Sequence, residues 1–322
     1  MSRPRQHYVP ASLIGAFSAD SGPRHRERFV WVRRRGSDSA VRTRAEQLAS
    51  ERDLYTLLGA LGKPPGPPPD TVDRMWSYEK ALPHAISTLA IGGAHQLSAE
   101  IWLRVLVPFV ASLFVRGPEF NRRFESRSPI RDLQAFYGLT GFRDNTNMAR
   151  LMEMQRLLFP IMCAEWTLAF CGGSGTLVTN DIGYSLLIDP ASGEPAYVVP
   201  LCPSMTLKLN KGRSCLQMCW TGERWAMQGI AHATLFPEGV TNVNTSMAAM
   251  AIREIYGPTE AVVESCTSSW RSANRVPVPT PGPLYLTMDA RTMQNQELTW
   301  HRMVSVLAGP PQPDAASVFN MR

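Results

Sequence analysis

Between residues 71 and 170 apolar positions recur every three or four residues, and beyond residue 175 the spacing shortens to two. The first period belongs to helices that bury one face, the second to strands. Met75, Trp76, Ala81, Leu82, Ile86, Leu89 and Ile91 fit a helical stretch capped by Thr71 or Asp73 and perturbed at Pro83. Residues 99–115 follow Ser98, a good cap, and stop at Gly117-Pro118. They are apolar nearly all round, which predicts a helix through the middle of the domain. A third helix is expected over 148–170, capped by Asn145 or Asn147, kinked at Pro160 and ended by Gly172-Gly173.

Past Gly175, short alternating runs at 176–179, 184–188, 197–199, 205–209, 216–220 and 224–227 predict an antiparallel meander. Residues 243–256 return to helix, with Asn242 or Asn244 at the start. Ahead of the helices, Phe29-Val30-Trp31-Val32 is a strand by its aromatic and β-branched content, 33–39 is its polar exit turn, and Asp53-Leu54-Tyr55 closes a second short element. The prolines of 63–70 exclude helix and inner strand, because proline fixes φ and lacks a donor. The expected fold is therefore α+β, a central apolar helical core packed against a mainly antiparallel β-sheet, with the amino-terminal segment threading between them. Its parts are a basic segment over 1–62, a linker over 63–70, the helical core over 71–170, sheet plus helix over 171–275 and a proline-rich tail over 276–322.

The chain has 322 residues, 44% of them hydrophobic, enough to bury a large core without disulfides. Its six cysteines form no CxxC pair, and Cys215 and Cys219 have no second pair or nearby His, so no metal site is expected and the thiols are read as reduced, in a cytoplasm. No cofactor motif is present either: there is no GxSxG elbow, no GxxxxGK[ST] loop and no HExxH helix. The formal charge of +6 is concentrated in residues 1–52, where eleven Arg face five acids, leaving the rest of the chain neutral. Such a segment attracts nucleic acid or another polyanion, unless it is simply a solvated face. The longest apolar stretch, 101–115, contains Arg104 and falls short of the roughly twenty residues that span a bilayer, so no membrane partner is expected. The start of the chain is polar and has no secretory signal pattern.

His7-Tyr8-Val9-Pro10, followed by Leu13 and Phe17, sets an imidazole directly before an apolar anchor. Further on come Val30-Trp31-Val32, Asp53-Leu54-Tyr55, a helix with Glu79, Arg116-Gly117-Pro118, Thr179-Asn180-Asp181, Pro200-Leu201-Cys202-Pro203, and Asn244 ahead of Ala251 and Tyr256. In this order the motifs resemble the domain-of-unknown-function family 4238 over roughly residues 5–257. Ala11 and Ser12 replace the family's usual Gln and aromatic, and Gly183 replaces the proline of its Thr-Ser-Asp-Asn-Pro turn. The family carries no settled activity, so the resemblance implies a site without a reaction.

The matching polar residues are His7, Glu79, Arg116, Asp181 and Asn244, from five separate segments, as a site assembled at the centre of a fold would require. His7 with Asp181, and Glu79 nearby, would do acid–base work, Arg116 would hold an anionic oxygen, and Asn244 would orient the substrate. Each has a structural alternative: a buried histidine bonded to a carbonyl, an Asx turn at Asp181, an Arg116–Glu79 salt bridge, a helix cap at Asn244. The functional expectation is a hydrolase or nuclease-like effector acting on a phosphate-containing or polyanionic substrate. The alternatives are a non-enzymatic binding or adaptor protein and a small-molecule enzyme of specialised metabolism.

Overall fold

The computed structural model describes residues 5–22, 24–57, 68–121, 142–188, 193–210, 217–221, 223–267, 270 and 304. The linker expected over 63–70, except its last three residues, and the proline-rich tail, except Val304, lie outside the described residues.

The fold is α+β. Strand β1 (Arg5–His7) leads through Pro10 into α1 (Ala11–Ala16), then β2 (Phe29–Arg34), β3 (Val41–Arg44) and β4 (Ser50–Arg52). The helical block is α2 (Thr71–Arg74), α3 (Leu82–Gly92), α4 (Ala99–Ile101), a π-helical turn (Trp102–Leu106), α5 (Val107–Arg116) and α6 (Phe142–Met162). The rest is β5 (Glu165–Cys171), β6 (Thr179–Asn180), β7 (Ser185–Ile188), β8 (Pro195–Cys202), β9 (Met205–Asn210), β10 (Gln217–Trp220), β11 (Trp225–Gln228), β12 (Ala231–Leu235), α7 (Pro237–Met250), β13 (Glu254–Gly257) and α8 (Glu260–Cys266).

Ser98 caps the apolar segment as expected, its hydroxyl accepting from the Ile101 amide. Pro108 has no N–H to give and its ring crowds the carbonyl four residues back, so the preceding turn widens into the π form before α5 resumes. The segment is the centre of the core: every residue from Val107 to Arg116 except Pro108 is buried. Its aromatic rings meet the elements behind it, Trp102 on Trp166 of β5 at 5.5 Å, and Phe114 on Tyr184 and Tyr197 at 4.6 and 4.9 Å. Such edge and tilted ring pairs add to the burial energy of the rings themselves.

There are two principal sheets, and the first meets this strut through Trp166 and Tyr197. One has the order β12-β5-β9-β8-β7, antiparallel except for β12, which runs parallel to β5; the other has the order β3-β2-β13-β6, antiparallel throughout. The amino-terminal segment thus supplies half of the second sheet instead of only threading between layers.

Besides the stretch from Thr71, which is broken into α2, a 3-10 turn (Ser77–Lys80) and α3, three element boundaries depart from the expected pattern. Helix α6 begins before Asn145 and Asn147, passes Pro160 and ends at Met162, and the chain then continues as strand β5 instead of helix. The alternation is legible once seen: Trp166 and Leu168 are buried while Glu165 is exposed, and Trp, Thr and Phe favour strands. Residues 176–178 are loop, so only Thr179 and Asn180 pair as strand. Helix α7 starts at Pro237 and ends at Met250, leaving Ile255 and Tyr256 to strand β13. Asn242 and Asn244 therefore sit inside α7 and cap nothing.

Candidate functional site: a cationic cleft at His7

Strand β1 pairs antiparallel with β4, which sets His7 opposite Ser50. Ala49 and Asp53, on either side of β4, hold left-handed φ values of +45° and +54°, a conformation that costs a non-glycine residue of order 1 kcal/mol and persists only where the surroundings impose it. The turn after β4 brings Tyr55 beneath β1, with its amide donating to the Gln6 side-chain oxygen at 2.6 Å.

Tyr55 and Arg116 form the floor under His7. The Arg116 side chain is 2% exposed at the end of α5, and four of its donor contacts point inward: Nε to the Tyr55 hydroxyl at 3.3 Å, Nη1 to the Tyr78 hydroxyl at 3.1 Å and to Glu79, and Nη2 to the His7 carbonyl. Its guanidinium also lies over Trp76, 4.8 Å from the ring centroid. The Tyr55 hydroxyl reaches the His7 carbonyl at 3.2 Å and the Arg116 carbonyl at 3.1 Å, and Tyr78 donates to Ser112, which donates to the Phe109 carbonyl at 2.6 Å. A buried guanidinium needs this many acceptors and a counter-charge to be tolerated. Desolvation works against its charge, but Glu79 and the two tyrosines more than offset it, so the Arg116 pKa stands well above its ordinary value.

Above this floor opens a cleft of about 780 Å³. His7, Glu79 and Arg116 line it together with Gln6, Ser12, His25, Asp73 and Trp76. Six cations, Arg5, Arg24, Arg26, Arg74, Lys80 and Arg116, face two carboxylates, Asp73 and Glu79. Arg5 and Lys80 have no ion-pair partner among the described residues, whereas Arg24, Arg26 and Arg74 make exposed pairs with Glu27, Glu46 and Asp70. Exposed pairs of this kind are worth little and exchange readily for a better anion.

The His7 ring places Nε2 3.0 Å from the Glu46 carbonyl. A carbonyl only accepts, so the hydrogen is assigned to Nε2 and Nδ1 is the basic nitrogen. Burial lowers the His7 pKa, the Glu46 bond opposes this, and Arg116 lowers it further, favouring a neutral imidazole. The pKa of His25, on the same wall, is also lowered, by burial and then by Arg28 against a Ser12 backbone hydrogen bond, and its Nδ1 has no hydrogen-bond partner among the described residues. Asp73 stands on the rim; desolvation against the cleft wall raises its pKa, with Arg116 pulling the other way.

The structure brings together three of the five residues singled out from the sequence, His7, Glu79 and Arg116. Asp181 takes no part in the cleft. It is wholly buried, its two carboxylate oxygens accept from the Ile252 and Arg253 amides, each at 2.7 Å, and its own amide donates to the Glu254 carbonyl. Its link to the amino-terminal motif is Tyr8, whose pKa is raised by burial and then by Asp181 and Glu254. His7 and Tyr8 are neighbours in the chain, so the motif offers its imidazole to the cleft and its phenol to the Asp181 region. The turn at this point belongs to Asn180, whose Oδ1 accepts from the Ile182 and Gly183 amides at 3.1 and 2.9 Å. Asn244, in α7, pins the loop ahead of β6 by accepting from the Val178 amide at 3.0 Å and donating to the Thr176 carbonyl at 2.8 Å.

Arg5, Lys80, Asp73 and His25 were not legible as site residues, because lone charges on separate segments carry no spacing signal. The amino-terminal arginine surplus did mark the region. Among the described residues no group of three or more His, Cys, Asp or Glu side chains is arranged to hold a metal ion, and no helix is long and apolar enough to cross a membrane.

Residues 5–156 match the family model described as "Protein of unknown function (DUF4238)", a span that takes in His7, Glu79 and Arg116 and stops short of Asp181 and Asn244. No curated protein and no solved structure matches the chain. Over residues 5–156 the chain resembles the domain-of-unknown-function family 4238, as its opening motifs lead one to expect.

Proposed function

We propose that the His7 cleft binds a phosphate-containing or polyanionic substrate, nucleic acid being the extended form of it, and hydrolyses it in the cytoplasm. The observation that carries this reading is the lining of the cleft, six cations against two carboxylates around an imidazole held neutral. Arg5 and Lys80 supply charge without a competing partner among the described residues, and the exposed arginines add bidentate contacts to phosphate oxygens. His7 Nδ1 takes a proton from the attacking water as its oxygen bonds to phosphorus, and Asp73 returns a proton to the departing ester oxygen. Asp73 thereby replaces Asp181 as the acid. Arg116 is the hub that holds the His7 backbone, and the peripheral cations act as the anion clamp. The cytoplasmic setting fits the free thiols of Cys163, Cys171, Cys202 and Cys266.

Binding of polyphosphate, followed by calorimetry across a salt series, is expected to weaken steeply with salt, and Arg5→Ala with Lys80→Ala to flatten that dependence by about two counterions. Turnover of an activated phosphodiester should persist below the ordinary histidine pKa, because the His7 imidazole stays neutral there, and should vanish in His7→Gln while polyphosphate binding remains. No polyphosphate binding at low salt overturns the reading. Binding without turnover favours the adaptor alternative, which the inward engagement of Arg116 also suits.

A further inference from the structure

Phe29 opens β2, and it is one of the few large apolar residues left at the surface among the described residues, at 37% exposed. Its cross-strand partner is Arg44, and Arg42 lies opposite Trp31 two residues along the same ladder. Their guanidinium carbons stand 5.4 and 5.1 Å from the Phe29 ring centroid. A second cavity of about 280 Å³ lies against this ring, walled by Gly22, Arg24, Arg28 and Arg44. Its two carboxylates are already engaged, Asp20 with Arg42 and the Phe29 amide, and Glu27 with Arg24. Arg28 is less committed: its Nε donates to the Gly22 carbonyl at 2.6 Å and Asp20 attracts its charge, but its two Nη groups have no hydrogen-bond partner among the described residues. Arg24 lines both this cavity and the His7 cleft, so the two sites are consecutive along one cationic path.

We infer that Phe29 is a base-stacking subsite of the cleft, which takes a single-stranded nucleic acid: the backbone passes Arg24 into the His7 cleft while a neighbouring base lies on Phe29 with its phosphate on Arg28. Charge alone would suit any polyanion; the ring decides among them, because a π-face is complementary to an unpaired base and wasted on a bare phosphate chain or an acidic peptide. A duplex hides its base faces in the stack, which leaves a single strand. The subsite selects no particular base, since every base has a face to stack. The inference rests on the anion-binding reading of the cleft.

The test is fluorescence anisotropy with a short labelled oligothymidylate and an abasic phosphodiester chain of the same length, on the full chain at low salt. Phe29→Ala should weaken oligothymidylate binding about tenfold and leave the abasic chain unchanged. Phe29→Leu, which keeps the apolar bulk and removes the π-face, should lose about the same factor, and Phe29→Trp should retain binding. Arg28→Ala should weaken both chains alike and reduce the salt slope by about one. The inference is overturned if the wild type binds both chains equally and neither Phe29 variant separates them. Failure of the cleft reading looks different: neither chain binds the wild type, or Arg5→Ala with Lys80→Ala changes neither affinity.

Discussion

At the scale of single residues, Arg116 and Asp181 show how a polar group is admitted to a core. Arg116 is surrounded by a carboxylate, two phenols and a backbone carbonyl, so removing the guanidinium strands Glu79 and leaves several acceptors unmet. Arg116→Ala should therefore cost about 3–5 kcal/mol in urea unfolding. Arg116→Lys should recover little, because a point ammonium cannot serve acceptors spread around a planar fork. Asp181 yields a prediction in pH. Burial pushes its carboxyl up to about 7 against the pull of the Ile252 and Arg253 amides. Its ordinary value is 3.8, so between there and about 7 the folded chain holds a proton that the unfolded chain has released. The stability this contributes is fully present below the lower value and is lost as pH rises through the upper one. The difference in unfolding free energy between wild type and Asp181→Asn should fall across that window, by at most about 1.4 kcal/mol per unit; a flat difference would refute it. Of the five residues singled out from the sequence, three converge because the amino-terminal motif and the α5 end are adjacent in the fold. Asp181 and Asn244 misled because a polar residue set between apolar runs looks the same in sequence whether it binds a ligand or ties down a loop.

At the scale of elements, period made the long segments legible, and short apolar runs hid the rest. The central apolar segment, its Ser98 cap and strands β2, β7, β8, β9 and β11 stand close to where their patterns put them. Strands β5 and β13 were absorbed into neighbouring helices, because an apolar run of four to seven residues fits either period until it has a pairing partner. The arginines at the end of β2 and just beyond it were also opaque. A run of Arg33, Arg34 and Arg35 looks like a binding patch, yet Arg33 is buried against Glu264 of α8, Arg34 pairs with Glu254 of β13, and Arg35 donates to the Ala251 carbonyl while lying over Trp270. Glu264 additionally accepts from the Ala40 amide at 2.6 Å, so one carboxylate fastens α8 to both ends of the β2–β3 turn. Arg33→Ala is expected to lower stability by about 1–3 kcal/mol while leaving polyphosphate affinity unchanged, since the partner lost is internal. Loss of affinity without loss of stability would return these arginines to the binding surface.

At the scale of the whole molecule, the basic segment and the helical block build the cleft, and the carboxy-terminal strands hold both in place. Strand β2 has β3 on one side and β13, more than two hundred residues later, on the other. Asp181 ties β6 to the start of β13, and Trp102 of the π-helical turn and Phe114 of α5 pack on residues of β5, β8 and the turn before β7. The family match ends at residue 156, inside α6, which runs on to Met162. That boundary is thus one of sequence similarity and not of folding: cutting there splits a helix, removes every strand of the five-stranded sheet and leaves β2 with β3 as a bare hairpin, which is marginal in water. It also exposes Trp102 and Phe114, both buried in the intact chain, at a cost of several kcal/mol, comparable to the whole stability of an ordinary domain. A chain shortened to residues 1–156 should accordingly show no cooperative thermal transition and bind polyphosphate only as a disordered polycation, with no dependence on His7 or Lys80. The full chain should melt as one unit. A cooperative transition in the fragment, with the binding and salt slope of the full chain, would make the matched region a domain in its own right and the remaining strands an addition to it.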